Sequence, residues 1–218
     1  ILGFTPGSLL DLTTRLVTPR LADALGQQVI VENKPGASSN IATEQVIRAP
    51  ADGYTLLMGG VVNSINTTLY ASLPFDFVRD TAPIVLIGTA PSLLVVHPSL
   101  AVHSLQEFID YAKKRPGEIT YGSSGNGTGP HLAGEMLNLM AGIKLVHVPY
   151  KSSPQAMTDL LAGRVQATFS PPSTAMPHLK AGSLRGIAST GARRTSAAAD
   201  LPTMIEAGLP DYAGEVWM

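Results

Sequence analysis

The sequence contains no cysteine, which excludes disulfide bonds, thiolate metal sites and thiol nucleophiles. Charge is also scarce: charged residues form 14% of the 218 residues, and 15 Lys and Arg against 16 Asp and Glu leave a formal net charge of -1. Such a chain has no long-range field that would gather nucleic acid or anionic lipid. We therefore expect no nucleic-acid partner.

Long hydrophobic runs are missing as well. The most apolar stretch, residues 83–96, is interrupted by Thr89, Pro91 and Ser92 and is shorter than the roughly 20 residues that cross a bilayer. Hydrophobic residues still form 44% of the chain, which is typical of a globular protein with one or two lobes. The chain opens on Ile1-Leu2-Gly3-Phe4, typical of the end of a strand, so we expect a preceding segment that could have included a secretory signal.

Helical and strand patterns alternate along the chain, which predicts an α/β fold with a mostly parallel sheet. Gly26 ends a leucine-rich helical pattern that begins near Leu12, and the capping box of Thr203 and Glu206 predicts a last short helix. The buried-looking strand at 93–98 is the predicted crossing between two lobes. The predicted helices are 12–25, 41–49, 104–115, 129–141, 154–162 and 203–208, and the other predicted strands are 29–31, 54–58, 119–122, 145–148, 165–169 and 184–189.

Two loops that lead from a strand into a helix contain glycine, one at 4–11 and a richer one at 121–131. Glycine lets backbone N–H groups approach a ligand, and a helix N-terminus favours an anion. One such loop in each lobe would form a clamp for a carboxylate. The alternative is that both are ordinary connections between a strand and a helix.

Other interpretations of the second glycine loop fit less well. A P-loop needs a lysine after its last glycine, where this chain has Thr128, and a dinucleotide fingerprint needs an acidic residue about 20 positions on. The hydrolase motif Gly-x-Ser-x-Gly is one residue too long for this loop. Ser123 or Ser124 with His131 nevertheless leaves a serine hydrolase as the alternative function.

The five histidines show no pair at i, i+4 and no carboxylate at ligand spacing, so we expect no metal site. His97 and His147 lie within apolar runs, which favours structural roles for both.

Three other polar positions have two interpretations each. Asp11 and Arg15 are one helical turn apart and could form an ion pair, or Asp11 could hold the first loop in place. Lys151 follows a strand and could face an anionic ligand or be an exposed lysine without a role. The segment 170–173, Ser-Pro-Pro-Ser, also follows a strand and suits a pocket wall, since ligands bind at the carboxyl ends of strands in open α/β sheets.

The chain resembles the substrate-binding proteins of tripartite tricarboxylate transporters, also called the Bordetella uptake gene (Bug) family. Each matching motif is weak alone, but their order along the chain is specific. They are Phe4-x-Pro6-Gly7 with Asp11 and Arg15, Leu25-Gly26-Gln27, 31–36 (Val-Glu-Asn-Lys-Pro-Gly), 52–57 (Asp-Gly-Tyr-Thr-Leu-Leu), Leu69-Tyr70, 73–76 (Leu-Pro-Phe-Asp), 121–128 with His131-Leu132, 147–151 (His-Val-Pro-Tyr-Lys), Leu201-Pro202-Thr203 and Glu206-Ala207-Gly208.

The resemblance implies a type II periplasmic-binding-protein fold, in which two α/β lobes close on a small carboxylate by hinge motion. It implies a periplasmic, monomeric receptor that presents its ligand to the membrane subunits of a transporter and has no catalytic activity, cofactor or metal. The implied lobes are 1–98 with 213–218, and 99–212. We expect the chain of such a protein to continue beyond 213–218 and to complete the first lobe.

The ligand-binding residues implied by the resemblance follow the two loops and the neighbouring strand ends. In the first lobe they are Thr5, Pro6, Gly7, Ser8, Leu9 and Asp11, and in the second they are Ser123, Gly125, Gly127, Thr128, His131, Tyr150, Lys151 and Ser173. The family usually has glycine where this chain has Ser8 and a small or polar residue where it has Leu9. These departures make the first loop stiffer and more apolar, so we expect an acid with an apolar or aromatic body.

Overall fold

The computed structural model describes residues 1–218, which divide into two compact units. Unit 1 contains Ile1–Gly88 with Trp217–Met218, and unit 2 contains Thr89–Val216. No helix in either unit has the length and apolar character needed to cross a membrane. The lobe limits implied by the resemblance, 1–98 with 213–218 and 99–212, stay a prediction. The main difference is that residues 89–98 belong to the first implied lobe but to unit 2 of the structure.

Unit 1 is built from four helices and a 3-10 turn at Ala37–Ser39. The helices are α1 (Leu9–Leu25), α2 (Asn40–Ile47), α3 (Val61–Leu69) and α4 (Phe77–Asp80). Helix α1 ends at Gly26, whose φ of 64° is the left-handed conformation that glycine adopts readily, and this confirms the predicted terminator.

The centre of unit 1 is a set of three short parallel segments around Leu2, which is fully buried. The Leu2 N–H donates to the Glu32 carbonyl at 2.9 Å, and the Met58 N–H donates to the Ile1 carbonyl at 2.9 Å. Only isolated bridges, Leu2 with Asn33 and Leu2 with Met58, join these segments. The predicted strand at 29–31 does not form, since the only bridge near it is at Asn33, and the predicted strand at 54–58 is limited to one bridge residue, Met58.

Helix α3 was not predicted, because its sequence is rich in Asn, Thr and β-branched residues that favour helices weakly. Tertiary hydrogen bonds compensate: the buried Asn63 amide donates to Thr43 Oγ1 at 2.7 Å, and the buried Asn66 amide donates to Asn40 Oδ1 and to the Ser38 carbonyl, both at 2.7 Å. These bonds also hold the turn at Ala37–Ser39, whose three residues have positive φ.

Unit 2 follows the predicted alternation closely. Its elements are β1 (Thr89–Pro91), β2 (Leu93–Val96), α5 (Leu105–Lys113), β3 (Thr120–Ser123), α6 (Gly129–Ala141), β4 (Val146–Pro149), α7 (Ser153–Leu161), β5 (Ala167–Ser170), α8 (Pro172–Lys180), β6 (Arg185–Ser189) and β7 (Glu215–Trp217), whose last residue belongs to unit 1.

The main sheet has the strand order β4-β3-β5-β2-β6, and β1 pairs separately with β7. Strand β3 is parallel to β4 and β5, whereas β2 is antiparallel to both β5 and β6. All four residues of β2 are fully buried in this position. The predicted crossing at 93–98 is therefore corrected: β2 lies inside the sheet of unit 2, and the chain enters this unit at Thr89.

Each face of the sheet carries its own hydrophobic cluster. Phe108 and Leu137, from α5 and α6, pack with Tyr121 on one face, and Leu160 and Ala175, from α7 and α8, pack on the other. The alternation of side chains along each strand produces this separation. The helices therefore cover both faces, and the strand ends remain at the edges of the layer.

Two local features of unit 2 differ from the predictions. Helix α8 was not predicted, because the segment 170–173 was interpreted as a pocket wall; Pro172 is acceptable at a first helical position because its missing N–H would have no helical partner. The pocket-wall interpretation itself stays a prediction. The capping box does form, since Thr203 and Glu206 exchange side-chain hydrogen bonds with each other's N–H at 2.9 and 3.1 Å. It closes only turns at 204–208 rather than a helix.

We predict that Gly134→Ala destabilises unit 2 by about 1–3 kcal/mol, because its new Cβ would overpack the core. A Cβ at this position would lie 2.3 Å from the ring of Tyr121, which is fully buried and cannot move aside cheaply. Gly214→Ala is the matched control, since its Cβ would meet no atom within 4 Å. Urea unfolding of the two variants measures the difference, and equal stability would contradict this account of the core.

Candidate functional site

The first candidate site is the loop of unit 1 that leads into α1. Ser8 is the N-cap, and its hydroxyl accepts a hydrogen bond from the Asp11 N–H at 3.3 Å. Asp11 is 2% exposed, and its carboxylate accepts a hydrogen bond from the Gly7 N–H at 2.9 Å. Ser8 therefore caps α1, and the Asp11 side chain ties the loop before α1 to the first turn of the same helix.

Asp11 is the centre of a polar network. Its Oδ1 accepts from Arg15 Nε and from Asn33 Nδ2, both at 3.0 Å, and Asn33 also donates to the Phe4 carbonyl at 2.9 Å. Burial raises the pKa of Asp11, but the hydrogen bonds from Arg15, Gly7 and Asn33 together outweigh burial and leave its pKa below the ordinary value. Both interpretations of Asp11 hold: it is ion-paired, and it holds the loop.

Several donors of this loop have no partner within the protein. The N–H groups of Leu9 and Leu10, the first two residues of α1, make no hydrogen bond. The Thr5 hydroxyl is buried and also lacks a partner. Buried polar atoms are normally satisfied, so this loop has an unpaired hydroxyl and two unpaired amides that an acceptor from outside the chain would satisfy.

The second candidate site is the glycine loop between β3 and α6 in unit 2. Gly125 and Gly127 have φ values of 120° and 75°, which side-chain-bearing residues rarely adopt. Ser123 Oγ donates to the Gly125 carbonyl at 3.1 Å and accepts from the Gly125 N–H at 3.0 Å. Thr128, the N-cap residue of α6, donates through its hydroxyl to the same carbonyl at 2.7 Å. Ser123 and Thr128 therefore shape the loop from its two ends.

Two neighbouring histidines, whose ring planes are inclined by 32°, support the glycine loop. The rings of His131 and His147 have centroids 4.1 Å apart. His131 Nδ1 accepts from the Gly127 N–H at 3.0 Å, and His147 Nε2 lies 2.5 Å from Ser123 Oγ. Because Nδ1 of His131 accepts, that nitrogen carries no proton in this arrangement. The contact between His147 and Ser123 was not predicted, since the pattern of one sequence does not reveal which side chains meet across neighbouring strands.

Burial depresses the pKa of both histidines. The pKa of His131 lies below its usual value mainly because of burial, which the nearby Glu135 carboxylate only partly offsets. Burial and the neighbouring His131 lower the pKa of His147 to about 4, again against a smaller opposing effect of Glu135. Both rings are therefore neutral at neutral pH, as the hydrogen bond from Gly127 requires.

The first turn of α6 also has unpaired amides. The N–H groups of Gly129 and His131 have no partner, while the Leu132 N–H bonds to the Thr128 carbonyl at 3.0 Å. Pro130 between them has no N–H. The positive end of the helix dipole therefore carries two free donors next to the glycine loop, which is the arrangement that favours an anion.

The remaining predicted residues of unit 2 lie at the same edge of the sheet, because α6, α7 and α8 follow the carboxyl ends of β3, β4 and β5. The Tyr150 hydroxyl donates to Asp159 at 2.8 Å, and burial, followed by this bond, raises the pKa of Tyr150 to about 12. Lys151 is exposed and is not among the residues that form ion pairs. Ser173, in the first turn of α8, is exposed.

Each unit thus brings together its own predicted residues. Thr5, Pro6, Gly7, Ser8 and Leu9 surround the start of α1, with Asp11 beneath them as a support rather than as a free acceptor. Ser123, Gly125, Gly127, Thr128 and His131 form the glycine loop and the start of α6. Their contact with a ligand stays a prediction.

The arrangement does not favour the serine hydrolase alternative. Ser123 contacts His147, and neither Ser123 nor Ser124 forms a hydrogen bond with His131. Ser123 is 1% exposed, and His147 has no third group that hydrogen-bonds its Nδ1. An activated serine needs an accessible oxygen and an oriented base. We also find no group of three or more His, Asp or Glu side chains that could hold a metal ion.

Comparison with protein families places most of the chain in one of them. The profile described as "Tripartite tricarboxylate transporter family receptor" matches residues 13–218. The protein BugT of Bordetella pertussis is 34% identical over 219 aligned residues, which cover 100% of this chain and 67% of BugT. A Pseudomonas relative is 32% identical, and this chain covers 65% of it. The chain thus spans about two thirds of the length of these relatives.

Solved structures agree with this assignment. Rpa4515 of R. palustris, solved with adipate, superposes with a TM-score of 0.94 at 38% identity, covering 99% of this chain and 73% of that protein. The periplasmic binding protein BugD gives a TM-score of 0.92 at 30% identity, with 99% and 72% covered. MatC of Rhodopseudomonas palustris with bound malate gives 0.91 at 27% identity, with 99% and 74% covered. The expected two-lobe α/β periplasmic-binding-protein fold is confirmed.

We predict that Asp11→Asn destabilises unit 1 by about 1–3 kcal/mol at neutral pH, because it weakens charge-assisted hydrogen bonds in a buried network. The folded-state pKa of Asp11 is lowered, so its stabilising effect is present above the unfolded pKa and is lost as pH falls through the folded one. Urea unfolding at pH 7 and at acid pH measures both effects. Glu44→Gln, in the exposed pair with Arg48, is the control and should change stability by less than about 0.5 kcal/mol.

A second prediction concerns acid. The folded protein holds both histidine pKa values below the ordinary 6.5, so the unfolded chain binds more protons between about pH 4 and 6.5. Stability should therefore fall as pH is lowered through this window. His147→Gln, which can keep a hydrogen bond to Ser123, should reduce the slope of unfolding free energy against pH. An unchanged slope would contradict the assignment of this proton uptake to the histidine pair.

Proposed function

Because this chain belongs to the tripartite tricarboxylate transporter receptor family, we propose that it is an extracytoplasmic receptor that captures a small organic carboxylate between its two units by hinge closure. The receptors of this family are periplasmic, and we assign the same location to this protein. Its membrane partner would be the transporter that gives the family its name. It would act by binding and delivery rather than by catalysis, and as a monomer.

One observation supports this function above the others. Each unit has a helix whose first turn leaves two backbone N–H groups unpaired: Leu9 and Leu10 in α1, Gly129 and His131 in α6. A carboxylate offers several acceptor lone pairs and a negative charge, and therefore matches paired donors at the positive ends of helix dipoles. The unpaired Thr5 hydroxyl adds a further donor in unit 1.

The relatives support the ligand class. Rpa4515 has been solved with adipate and MatC with malate, and these two ligands are small dicarboxylates. We propose for this chain the ligand class, a small organic carboxylate, and not either compound. Leu9 in the first turn of α1 is partly buried and apolar, which favours an acid with an apolar body over a heavily hydroxylated one.

The function predicts that small carboxylates raise the unfolding temperature of the protein. A ligand at about 100 times its dissociation constant stabilises the folded state by about 2.7 kcal/mol, which a thermal shift assay detects readily. The panel should contain adipate, malate, succinate, benzoate and hexanoate at millimolar concentration, with adipamide as an uncharged control. We expect a saturable shift with at least one acid and none with the amide.

An esterase assay separates the receptor from the hydrolase. A hydrolase would cleave ester substrates and lose that turnover in Ser123→Ala, whereas we expect no turnover from the receptor. Turnover lost in that variant, or a panel without any carboxylate shift in the full-length protein, would contradict the proposed function.

A further inference from the structure

A hydroxyl in unit 2 has no assigned role. Three buried side-chain atoms lack a hydrogen-bond partner within the protein: Thr5 Oγ1, Asn66 Oδ1 and Ser170 Oγ. Thr5 belongs to the loop before α1, and Asn66 lies in α3, where its amide already makes two hydrogen bonds. Ser170 is the last residue of β5 and is 2% exposed. A buried hydroxyl without a partner lowers stability, so its retention calls for a group that satisfies it.

Ser170 lies on the face of the sheet that α8 covers. Its direct cross-strand partner is Leu93, which packs in the same hydrophobic cluster as Ala175 of α8. Phe169, the preceding residue, belongs to the cluster on the opposite face. Because side chains alternate along a strand, the Ser170 hydroxyl is directed to the side where α8 begins.

The start of α8 offers one backbone donor beside this hydroxyl. Pro171 and Pro172 have no N–H, and the N–H groups of Thr174 and Ala175 both bond to the Pro171 carbonyl at 3.0 Å. The Ser173 N–H has no partner. α8 has nine residues, so its N-terminus carries the positive end of a helix dipole next to Ser170.

This position is next to the glycine loop within unit 2. Strand β5 is the direct parallel neighbour of β3, with Gly122 opposite Thr168, so the last residues of the two strands, Ser123 and Ser170, lie at the same edge of the sheet. Neighbouring strands lie about 4.8 Å apart. A short ligand held by the free amides of α6 at one end therefore extends towards the start of α8 at the other.

We propose that the Ser170 hydroxyl and the Ser173 N–H bind an acceptor oxygen at the end of the ligand opposite to the carboxylate held by the glycine loop. This inference rests on the proposed function and makes Ser170 a specificity-determining residue. Two donors and a positive dipole end favour a second carboxylate over a methyl group, because a carboxylate satisfies both donors and an alkyl end satisfies neither. The site thus selects dicarboxylates over monocarboxylates of equal length.

The test compares adipate with hexanoate, which has the same chain length and a single carboxylate. Calorimetric titration of the full-length protein gives both dissociation constants for the wild type and for Ser170→Ala. We expect the variant to bind adipate about tenfold more weakly and to change hexanoate binding by less than about twofold. Ser183→Ala, whose hydroxyl bonds to the His178 carbonyl at the other end of α8, should leave both constants unchanged.

Thermal unfolding without ligand distinguishes binding from a structural role. Ser170→Ala removes no bond within the protein, so its unfolding temperature should equal or exceed that of the wild type, whereas Thr168→Val loses the bond to the Gly122 carbonyl and should unfold earlier. A lower unfolding temperature for Ser170→Ala, or equal loss of affinity for both acids, would overturn the inference. Unchanged adipate affinity would overturn it while leaving the proposed function intact; a wild type that binds no acid at all would instead refute the proposed function.

Discussion

The first turn of an α-helix cannot satisfy its own N–H groups, and the candidate sites of this protein depend on that constraint. A capping side chain satisfies only one of these donors: Ser8 accepts from the Asp11 N–H at α1, as Ser104 accepts from Glu107 at α5 and Ser152 from Gln155 at α7. What distinguishes α1 and α6 is the glycine-containing loop that leads into each helix and brings its unpaired amides to the candidate site. Anion affinity therefore arises from the backbone, while the side chains determine where that backbone lies.

The two loops are held by different chemistry. In unit 1 a buried carboxylate gathers donors from Gly7, Arg15 and Asn33, so electrostatic attraction fixes the loop. In unit 2 neutral groups hold it: Ser123 bonds across the loop, and His131 accepts from Gly127. The glycine loop is consequently sensitive to the protonation of a histidine near it, whereas the first loop is sensitive to the loss of charge on Asp11.

Much of unit 2 could be predicted, because its elements are bounded by residues with strong local preferences. The bounds of α6 follow from the glycines on either side of an apolar helical pattern, and the four-residue strands follow from short apolar runs. Unit 1 was harder: α3 forms through side-chain bonds of Asn63 and Asn66, which local propensity does not contain. The segments around Leu2 look like strands in sequence but pair at single residues.

The site was predictable to a similar degree. Glycine, proline and the capping residues identified both loops, since those residues restrict the backbone locally. The sequence did not reveal that His147 contacts Ser123, because these residues lie on neighbouring strands and their meeting depends on register. The sequence placed Ser170 in a segment that suits a pocket wall but did not show that its hydroxyl is unpaired. A missing hydrogen bond can be recognised only once the positions of all neighbouring atoms are known.

The most direct test of the account is an NMR titration that follows individual backbone amides as a carboxylate is added. Adipate is the first probe, because a relative of similar fold has been solved with it. The account predicts saturable downfield shifts of the amide protons of Leu9, Leu10, Gly129 and His131, since each would gain an acceptor. Saturable binding that leaves these four amides unmoved and shifts a different surface would contradict the central claim that free helix-terminal amides hold the ligand.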